Sequence, residues 1–377
     1  MSTRRTTGLW PVAGSDTPPD TGRARAYRFQ PILTPLRYIV LVTNEAGRFI
    51  GELHPWGQVE SVIWRVNEHG TASMRLSARI LEEAPELVEY GNRVVILFAD
   101  DAARPWAGII DPPRTIQNGE LIITMYSGEY LTTYWETPAE LIYEGPGARP
   151  ATAIWIDLLR LGATEWVEAI DDRPTSAYLT VTFTFQSLQA AVARLAELDE
   201  KFFWYFEPTA HRPPAYLRFR LRMFSEWNHD LSATVALVEG VNFTEIEEME
   251  QGPIYNVVTV APSGADFSNA VGLVTVSDDV SIGRFGARRT PRVLSDVEDG
   301  DSAALRQNAA ALLAVSKSPT RRIRGRALNL PPGRSNAFWL GDRVTVETTR
   351  TGRVRGIVKS LEYEAASRTL NVVLDLQ

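Results

Sequence analysis

Short segments with alternating apolar and polar residues, separated by turns, constrain the fold of this chain more than any other sequence feature. The clearest pair is Val59–Asn67 and Thr71–Arg79, joined by Glu68-His69-Gly70. A period of two is typical of half-buried antiparallel strands, because successive side chains lie on opposite faces. Further along, Asn118-Gly119 lies between two more such segments and is the strongest two-residue hairpin signal in the chain. The sequence therefore predicts antiparallel β-structure.

The periodicity of apolar residues divides the chain into strand-rich segments and one segment that mixes helices with strands. Six or seven short strands in roughly 100 residues are typical of a small barrel or sandwich. Between two strand-rich regions, apolar residues recur at helical spacing after the capping residue Ser187, which predicts a mixed α/β insert. The predicted segments are a flexible arm at 1–30, a first barrel at 31–135, an α/β insert at 136–233, a second barrel at 234–262 and 318–377, and an inserted loop and helix at 263–317.

The composition limits the chemistry open to this chain. Its 377 residues are enough for several domains at roughly 100–200 residues each. The absence of cysteine excludes a disulfide framework, a thiolate zinc site and a cysteine nucleophile, and only four histidines are present. No apolar run reaches the ~18–20 residues that span a bilayer. Arg4 and Arg5 are not followed by the apolar segment of a secretory signal, so we expect a soluble protein.

No motif for catalysis or cofactor binding is complete. Gly145-Pro146-Gly147 lacks the spacing and the lysine of a phosphate-binding loop. The acidic cluster between Glu245 and Glu250 could supply paired carboxylates for glycoside cleavage, but an extended strand would divide these acids between its two faces. Asp299-Gly300-Asp301 precedes a predicted helix, where acids cap the helix and complement its dipole. We therefore predict no catalytic residue, no metal site and no cofactor.

A stripe of arginines is the first candidate for an interaction surface. Arg322, Arg324 and Arg326 alternate on one face of a predicted strand, in a chain whose net charge is −7. Such a stripe can contact a nucleic acid backbone, an acidic protein surface or only water. The negative net charge argues against a dedicated nucleic-acid-binding protein, and arginine is enriched at protein interfaces, so a protein interface is favoured.

The predicted strand Val241–Glu250 supplies acids that could pair with these arginines. Strict alternation places Glu245 and Glu247 on the same face as Phe243. Neither face of this strand can be wholly buried, because an unpaired buried carboxylate costs several kcal/mol. The ion pairs could form within the barrel or across a subunit boundary. We favour the boundary, since matched charges help to specify the register of a ring.

Three features of the C-terminal third follow one another in a fixed order. The first is the pattern D-x-S-I-x-x-F-G-x-R, at Asp279, Ser281, Ile282, Phe285, Gly286 and Arg288. The second is an alanine- and leucine-rich helix at Ala303–Val315, and the third is a strand that begins with Gly341-Asp342. This order resembles the baseplate or tail hub proteins of long-tailed bacteriophages and related contractile injection systems, which have a tyrosine where this chain has Phe285.

The turn at Gly341-Asp342, which leads into the strand of the third feature, gives two structural predictions. We expect Gly341 to require a positive φ or a close approach of neighbouring atoms, because it lies at the turn into a strand. We expect the Asp342 carboxylate to accept hydrogen bonds from neighbouring backbone N–H groups. Both residues would then be structural rather than catalytic.

The resemblance implies a fold and a role. The fold is mainly β (α+β), with two tube-like antiparallel β-barrels, an inserted α/β domain and a small inserted loop–helix segment. The role is that of a homotrimer that forms a pseudo-sixfold ring between a tail-tube or distal-tail protein above and a tip, spike or tape-measure protein below. DNA would pass through the ring only as cargo. The protein would lie in the virion tail after assembly in the host cytoplasm, and it would not be an enzyme.

Two other functions are open. A receptor-binding or carbohydrate-binding tail component is suggested by four tryptophans, Trp135, Trp166, Trp227 and Trp339, although core packing is the favoured interpretation of these residues. A cell-wall glycosidase would use the glutamate cluster and would release reducing ends from peptidoglycan.

Overall fold

The fold of this chain is taken from a computed structural model. It describes residues 38–98, 104–138, 140–162, 167–173, 175, 178–199, 201–209, 218–262, 272–294, 302–328, 338–365, 367 and 369–377. The flexible arm predicted at 1–30 lies outside the described residues.

The first part of the described chain is built from antiparallel strands and short helical turns. Its strands and helix are β1 (Tyr38–Thr43), β2 (Phe49–Glu52), β3 (Gly57–Arg65), β4 (Thr71–Ser77), α1 (Ile80–Glu83), β5 (Arg93–Phe98), β6 (Trp106–Gln117) and β7 (Glu120–Ser127). Single 3-10 turns lie at His54–Trp56, Pro85–Val88 and Gly128–Tyr134. The hairpin predicted at Asn118-Gly119 is confirmed: β6 pairs with β7, and the turn residues have φ of +54° and +77°.

The second part combines two helices with short strands. Its elements are β8 (Leu141–Tyr143), β9 (Arg149–Pro150), α2 (Ala151–Gly162), β10 (Val167–Asp172), β11 (Tyr178–Leu179), β12 (Val181–Phe183), α3 (Leu188–Leu198), β13 (Phe202–Thr209) and β14 (Arg218–Ser225), with a 3-10 turn at Gly145–Gly147. Ser187 caps α3 as predicted, because its Oγ accepts the Ala190 N–H at 3.1 Å. The helices pack on β13 and β14, where the rings of Trp155 and Trp204 lie 5.2 Å apart.

The third part returns mostly to strands. Its elements are β15 (Ala236–Val238), β16 (Phe243–Gln251), β17 (Val257–Pro262), β18 (Val274–Ser277), α4 (Asp279–Phe285), β19 (Arg289–Leu294), α5 (Ser302–Ser316), β20 (Thr320–Ala327), β21 (Arg343–Thr348), β22 (Gly352–Glu364) and β23 (Thr369–Leu376).

One large sheet passes through both strand-rich regions. Its strand order is β2-β1-β5-β6-β7-β4-β3-β22-β23-β20-β16, with β21 paired to β22 and β15 paired to β21. The antiparallel pairing of β3 with β22, from Ser61–Glu364 to Arg65–Ser360, joins the two regions. One continuous cluster of buried apolar residues serves both regions. The mainly β fold is confirmed, and the division of this sheet into two barrels stays a prediction.

The small subdomain, residues 257–316, departs from the prediction. β17 was expected in the second barrel, but it pairs with β18 and β19 in a separate three-stranded sheet, against which α5 packs. The predicted barrel segment 234–262 is therefore wrong beyond Gln251, where β16 ends. The cause is the nearly continuous burial of β17, because an apolar run fits either sheet and only its partner strands decide between them.

Candidate functional site

Gly341 lies in a tight turn immediately before β21. Its φ is +76°, and a Cβ at this position would lie 2.0 Å from Cζ of the buried Phe224 ring. Its N–H donates to the Val358 carbonyl at 2.8 Å. A positive φ and an aromatic ring in the place of a side chain both favour glycine, so the expectation for this turn is confirmed.

The Asp342 carboxylate holds the same turn together. Its Oδ2 accepts the Trp339 N–H at 2.6 Å, as expected, and its Oδ1 lies 2.9 Å from His229 Nδ1. Only 3% of Asp342 is exposed, and burial raises the pKa of this carboxyl, against the opposing effects of His229 and the Trp339 N–H. Both carboxylate oxygens have partners within the fold, so Asp342 acts as a buried structural acceptor.

Arg343 ties the loop at 226–232 to this turn. Its N–H donates to the His229 carbonyl at 2.8 Å. Its guanidinium lies 3.6 Å from the centre of the Trp227 ring and pairs with the Asp230 carboxylate. The loop connects the insert to β15, so the turn fixes where the last region of the chain begins.

Three residues of the D-x-S-I-x-x-F-G-x-R pattern form hydrogen bonds with a buried asparagine. Asn256 Nδ2 donates to the Gly286 carbonyl at 2.8 Å and to Ser281 Oγ at 3.3 Å. Its Oδ1 accepts the Arg288 N–H at 2.7 Å. Ser281 Oγ in turn donates to the Lys317 carbonyl at 2.5 Å. We call this group the Asn256 clasp; it connects the start of β17, both ends of the α4 segment and the end of α5.

Asn256 itself was missed by the sequence analysis. The side chain is completely buried. An asparagine between two strand patterns gives no local sign of burial, and loops contain exposed asparagines far more often. The only available signal was indirect. The pattern D-x-S-I-x-x-F-G-x-R places Ser281 and Gly286 close together, and their polar groups need hydrogen-bond partners elsewhere in the fold.

Three further pattern residues lie outside the clasp. Asp279 is exposed in the first turn of α4. The Ile282 carbonyl accepts the N–H of Gly286, whose φ of +73° ends the helix. Phe285 lies beneath the Arg284 guanidinium at 4.8 Å.

The predicted arginine stripe lies on the outer face of β20. Ile323, between its members, is fully buried on the opposite face. The stripe forms ion pairs within the chain: Arg322 Nε to Asp375 at 2.7 Å, Arg324 to Glu362 at 3.5 Å, and Arg326 to Glu245 at 2.6 Å. These arginines therefore have acidic partners on neighbouring strands before any second subunit is considered, and their role at a subunit boundary stays a prediction.

A β-bulge in β16 changes the predicted face of the acidic strand. The register moves from Thr244–Arg326 to Glu247–Arg324, so two residues of β16 lie opposite Gly325. Glu245 has φ of +52° in this bulge. The prediction that Glu245 and Glu247 share a face with Phe243 is wrong, because the extra residue interrupts the alternation. Phe243 is buried, and both glutamates lie with the arginines of the stripe.

The reason for the bulge lies in the core. A Cβ on Gly325 would lie 2.4 Å from Cζ of Phe243, so the ring occupies the space that a side chain at 325 would need. The Phe243 ring packs in the space that Gly325 leaves open. A strict period of two along β16 does not predict the bulge, because it takes no account of this contact.

A buried carboxyl that the sequence analysis missed lies where β7 meets β13. Glu129 Oε1 accepts the Phe206 N–H at 2.7 Å, and Oε2 accepts a hydrogen bond from the Ser127 hydroxyl. Ser127 Oγ in turn accepts the Gly70 N–H at 2.7 Å. Burial raises the pKa of Glu129 to about 7, although these hydrogen bonds act to lower it. The carboxyl therefore connects the first strand-rich region to the insert.

A cavity beside Glu129 is too small for an organic substrate. Its volume is about 60 Å³, and its lining includes Trp64, Arg104 and Glu207. Ligand pockets are typically several hundred Å³, whereas one water needs only about 10–15 Å³ by this kind of measure. The cavity can hold water, and its lining residues serve packing.

The tryptophans considered for carbohydrate binding are occupied in packing where they are described. Trp339 is buried with its ring 5.5 Å from that of Trp64. Trp135 packs against the core of the insert, and Trp227 lies beneath Arg343. Trp166 lies outside the described residues.

The described part of the chain contains neither a metal-binding cluster nor a membrane-spanning helix. No group of three or more histidine, aspartate or glutamate side chains there could hold a metal ion. No helix there is long and apolar enough to cross a membrane.

Comparisons with known proteins bear on the fold. No protein-family model matches the chain, and no curated protein matches it by sequence. Among solved structures, a 43 kDa tail protein of prophage MuSo2 from Shewanella oneidensis aligns over 90% of this chain and 98% of its own, with a TM-score of 0.57 and 11% identity. A tail protein from Neisseria meningitidis aligns over 91% and 97%, with a TM-score of 0.58 and 13% identity.

A third solved structure agrees with these two. The prophage tail protein gp18 from Listeria monocytogenes aligns over 89% of this chain and 94% of its own, with a TM-score of 0.56 and 11% identity. The three alignments cover nearly the whole length of each protein, so the likeness includes the insert and the small subdomain as well as the large sheet. The chain has the fold of these phage tail proteins, as its resemblance to tail hub proteins predicted.

Proposed function

We propose that this chain is a structural protein of a phage tail or of a related injection device, where it acts as the tail or baseplate hub. The observation that carries this proposal is the fold, which three tail proteins share over 89–91% of this chain. In this role the protein lies in the virion tail after assembly in the host cytoplasm. It positions other proteins and catalyses no reaction.

The proposed assembly is a homotrimer with pseudo-sixfold symmetry. Each subunit supplies the two strand-rich regions as two similar parts of the ring. The large sheet supports this, because it joins both regions through β3 and β22 in a single chain. The ring would lie between a tail-tube or distal-tail protein above and a tip, spike or tape-measure protein below.

The proposed ring encloses the channel through which DNA leaves the particle. Proteins hold DNA chiefly by neutralising phosphates with lysine and arginine. This chain has a net charge of −7, and the arginines of the β20 stripe pair with its own acids. DNA is therefore cargo in this proposal and not a bound ligand.

Cryo-electron microscopy of particles that contain this protein tests the proposal. We expect three copies around the tail axis, at the junction between the tail tube and the tip. Six copies in that place would indicate a distal-tail protein instead. A position away from the tail axis would contradict the hub role and favour a receptor-binding component.

A further inference from the structure

Two exposed surfaces of this chain carry opposite charges without partners. The α4 surface consists of Val280, Arg284 and Arg288, and the β8 surface consists of Glu140, Ile142 and Glu144, with Phe185 beside it. None of the four charged side chains of these surfaces forms an ion pair within the described part of the chain. This distinguishes them from the β20 stripe, whose arginines are all paired.

The α4 surface combines an apolar side chain with two guanidinium groups. Val280 is 85% exposed, and Arg284 follows it by four residues, which places both on the same side of the helix. The Arg288 Nε donates to the Phe285 carbonyl at 3.3 Å, which holds this side chain beside the end of α4. Asp278, the residue that caps α4, pairs with Lys317 at 3.1 Å and not with these arginines.

The β8 surface is the acidic counterpart. Glu140, Ile142 and Glu144 alternate along an extended segment, so they share one face, while Tyr143 on the other face is buried in the insert. Ile142 is 47% exposed between the two carboxylates.

Phe185 extends this surface. Its side chain is 73% exposed, and its N–H donates to the Pro138 carbonyl at 3.4 Å, just before the β8 segment. Its φ of +37° is unfavourable for a bulky side chain. A strained backbone that presents a large aromatic ring to solvent is typical of a contact site, where the binding energy offsets the strain.

We propose that the α4 surface of one copy binds the β8 surface of a second copy. Arg284 and Arg288 would pair with Glu140 and Glu144, while Val280 would pack against Ile142 and Phe185. Arginine–carboxylate pairs around an apolar centre are typical of protein interfaces. Because the two surfaces are different, the contact is head-to-tail, which is the kind that closes a ring. This inference rests on the proposed homotrimer and identifies the contact that forms it.

Cross-linking at engineered cysteines tests the contact, because the natural chain contains no cysteine. The variant Val280→Cys/Ile142→Cys, treated with a short bismaleimide, should give covalent dimers and trimers on a denaturing gel. Each single variant should stay at the monomer position, since a head-to-tail contact does not bring identical residues together. A matched control is Val280→Cys/Val241→Cys, because Val241 is also highly exposed, at 71%, and lies outside both surfaces.

Charge reversal gives a second, independent measurement. Glu140→Arg/Glu144→Arg and Arg284→Glu/Arg288→Glu should each weaken self-association by about tenfold or more. A mixture of the two variants should associate more strongly than either variant alone, because both contacts between unlike chains pair opposite charges, although a ring of three still contains one repulsive contact between like chains. Combining all four reversals in one chain should restore the ring. Glu45→Arg/Glu89→Arg is the control for added charge at exposed acids.

The outcomes separate this inference from the proposed function. Trimers that form in the double-cysteine variant but do not cross-link, or that cross-link equally in the Val241 control, would overturn the contact and leave the hub role standing. Charge-reversed variants that stay folded by circular dichroism and remain trimeric would do the same. A wild-type chain that is monomeric in solution and present singly in the particle would overturn the proposed function itself.

Discussion

The residues singled out by sequence pattern and those singled out by charge lie in opposite environments. Asp342, Asn256 and Ser281 are buried, and their side-chain polar atoms have defined partners within the fold. On the outer face of β20, charged side chains are partly exposed and pair with acids on neighbouring strands. Removing one hydrogen-bond partner lowers the free energy of unfolding substantially in the first environment, whereas removing one ion-pair partner changes it little in the second. The resemblance to tail proteins thus depends mainly on residues that determine the fold.

The two regions also differ in whether their arginines are neutralised within the chain. The arginines of the stripe are already neutralised within the chain, while Arg284 and Arg288 near the clasp are not. The α4 segment therefore has two faces. Its buried residue Ser281 holds the small subdomain together, and its exposed residues Arg284 and Arg288 carry positive charge at the surface.

The largest expected effect is at Gly341. Gly341→Ala should lower the free energy of unfolding by at least about 4 kcal/mol, because the new Cβ meets the Phe224 ring and the φ is positive. Gly352 is a matched control, with φ of +71° and no atom within 4 Å of a Cβ. Gly352→Ala should cost only about 1 kcal/mol. Equal losses in urea denaturation would show that the contact with Phe224 is unimportant.

The next effect is at the Asn256 clasp. Asn256→Ala should lower the free energy of unfolding by about 3 kcal/mol, because it removes the three hydrogen bonds that the buried Asn256 side chain makes. Asn256→Asp keeps the acceptor for Arg288 but loses both donated hydrogen bonds, so it should also destabilise the protein. Urea denaturation measures both changes. A loss below about 1 kcal/mol for the alanine variant would mean that the clasp does not hold the small subdomain.

A pH-dependent effect is expected at Glu129. The folded-state pKa of about 7 lies above the ordinary value of 4.5, so the folded state binds the proton more tightly than the unfolded state does. The contribution of the protonated Glu129 to stability is therefore fully present below about pH 4.5 and is lost as the pH rises through 7, by about 3 kcal/mol.

Glu129→Gln tests this dependence directly. The amide cannot ionise, so the variant should lose less stability than the wild type between pH 5 and pH 8.5, as measured by thermal unfolding across this range. Parallel stability curves for the two proteins would contradict the raised pKa.

The smallest effect on folding is expected at the stripe. Arg324→Glu should change the free energy of unfolding by no more than about 1 kcal/mol, because its pair with Glu362 is long, at 3.5 Å, and exposed. The same variant also tests the hypothesis that the stripe lies at a subunit boundary, which expects weaker assembly and a salt-sensitive wild-type ring. Unchanged assembly would leave the stripe as a solvated face.

The sequence was sufficient for elements whose signals are local. The Asn118-Gly119 hairpin, the Ser187 cap and the Gly341 turn follow from turn and cap chemistry within a few residues. The placement of β17 was not predictable in this way, because an apolar strand does not reveal its partners. The bulge at Glu245 depends on Phe243 filling the space above Gly325, which lies about eighty residues away in sequence.

The buried polar residues Glu129 and Asn256 could not be predicted either, because their partners are also distant in sequence. Glu129 and Asn256 become recognisable only when Phe206, Gly70 and Arg288 are brought next to them by the fold. The pattern D-x-S-I-x-x-F-G-x-R contains Ser281, Gly286 and Arg288, yet it does not reveal that these residues surround Asn256.

The mass of the native assembly tests the central claim most directly. Native mass spectrometry of the purified protein, and of hub complexes released from particles, should give about 126 kDa, three times the 42.0 kDa chain. A species of six chains, or a single chain in both preparations, would contradict the trimeric hub.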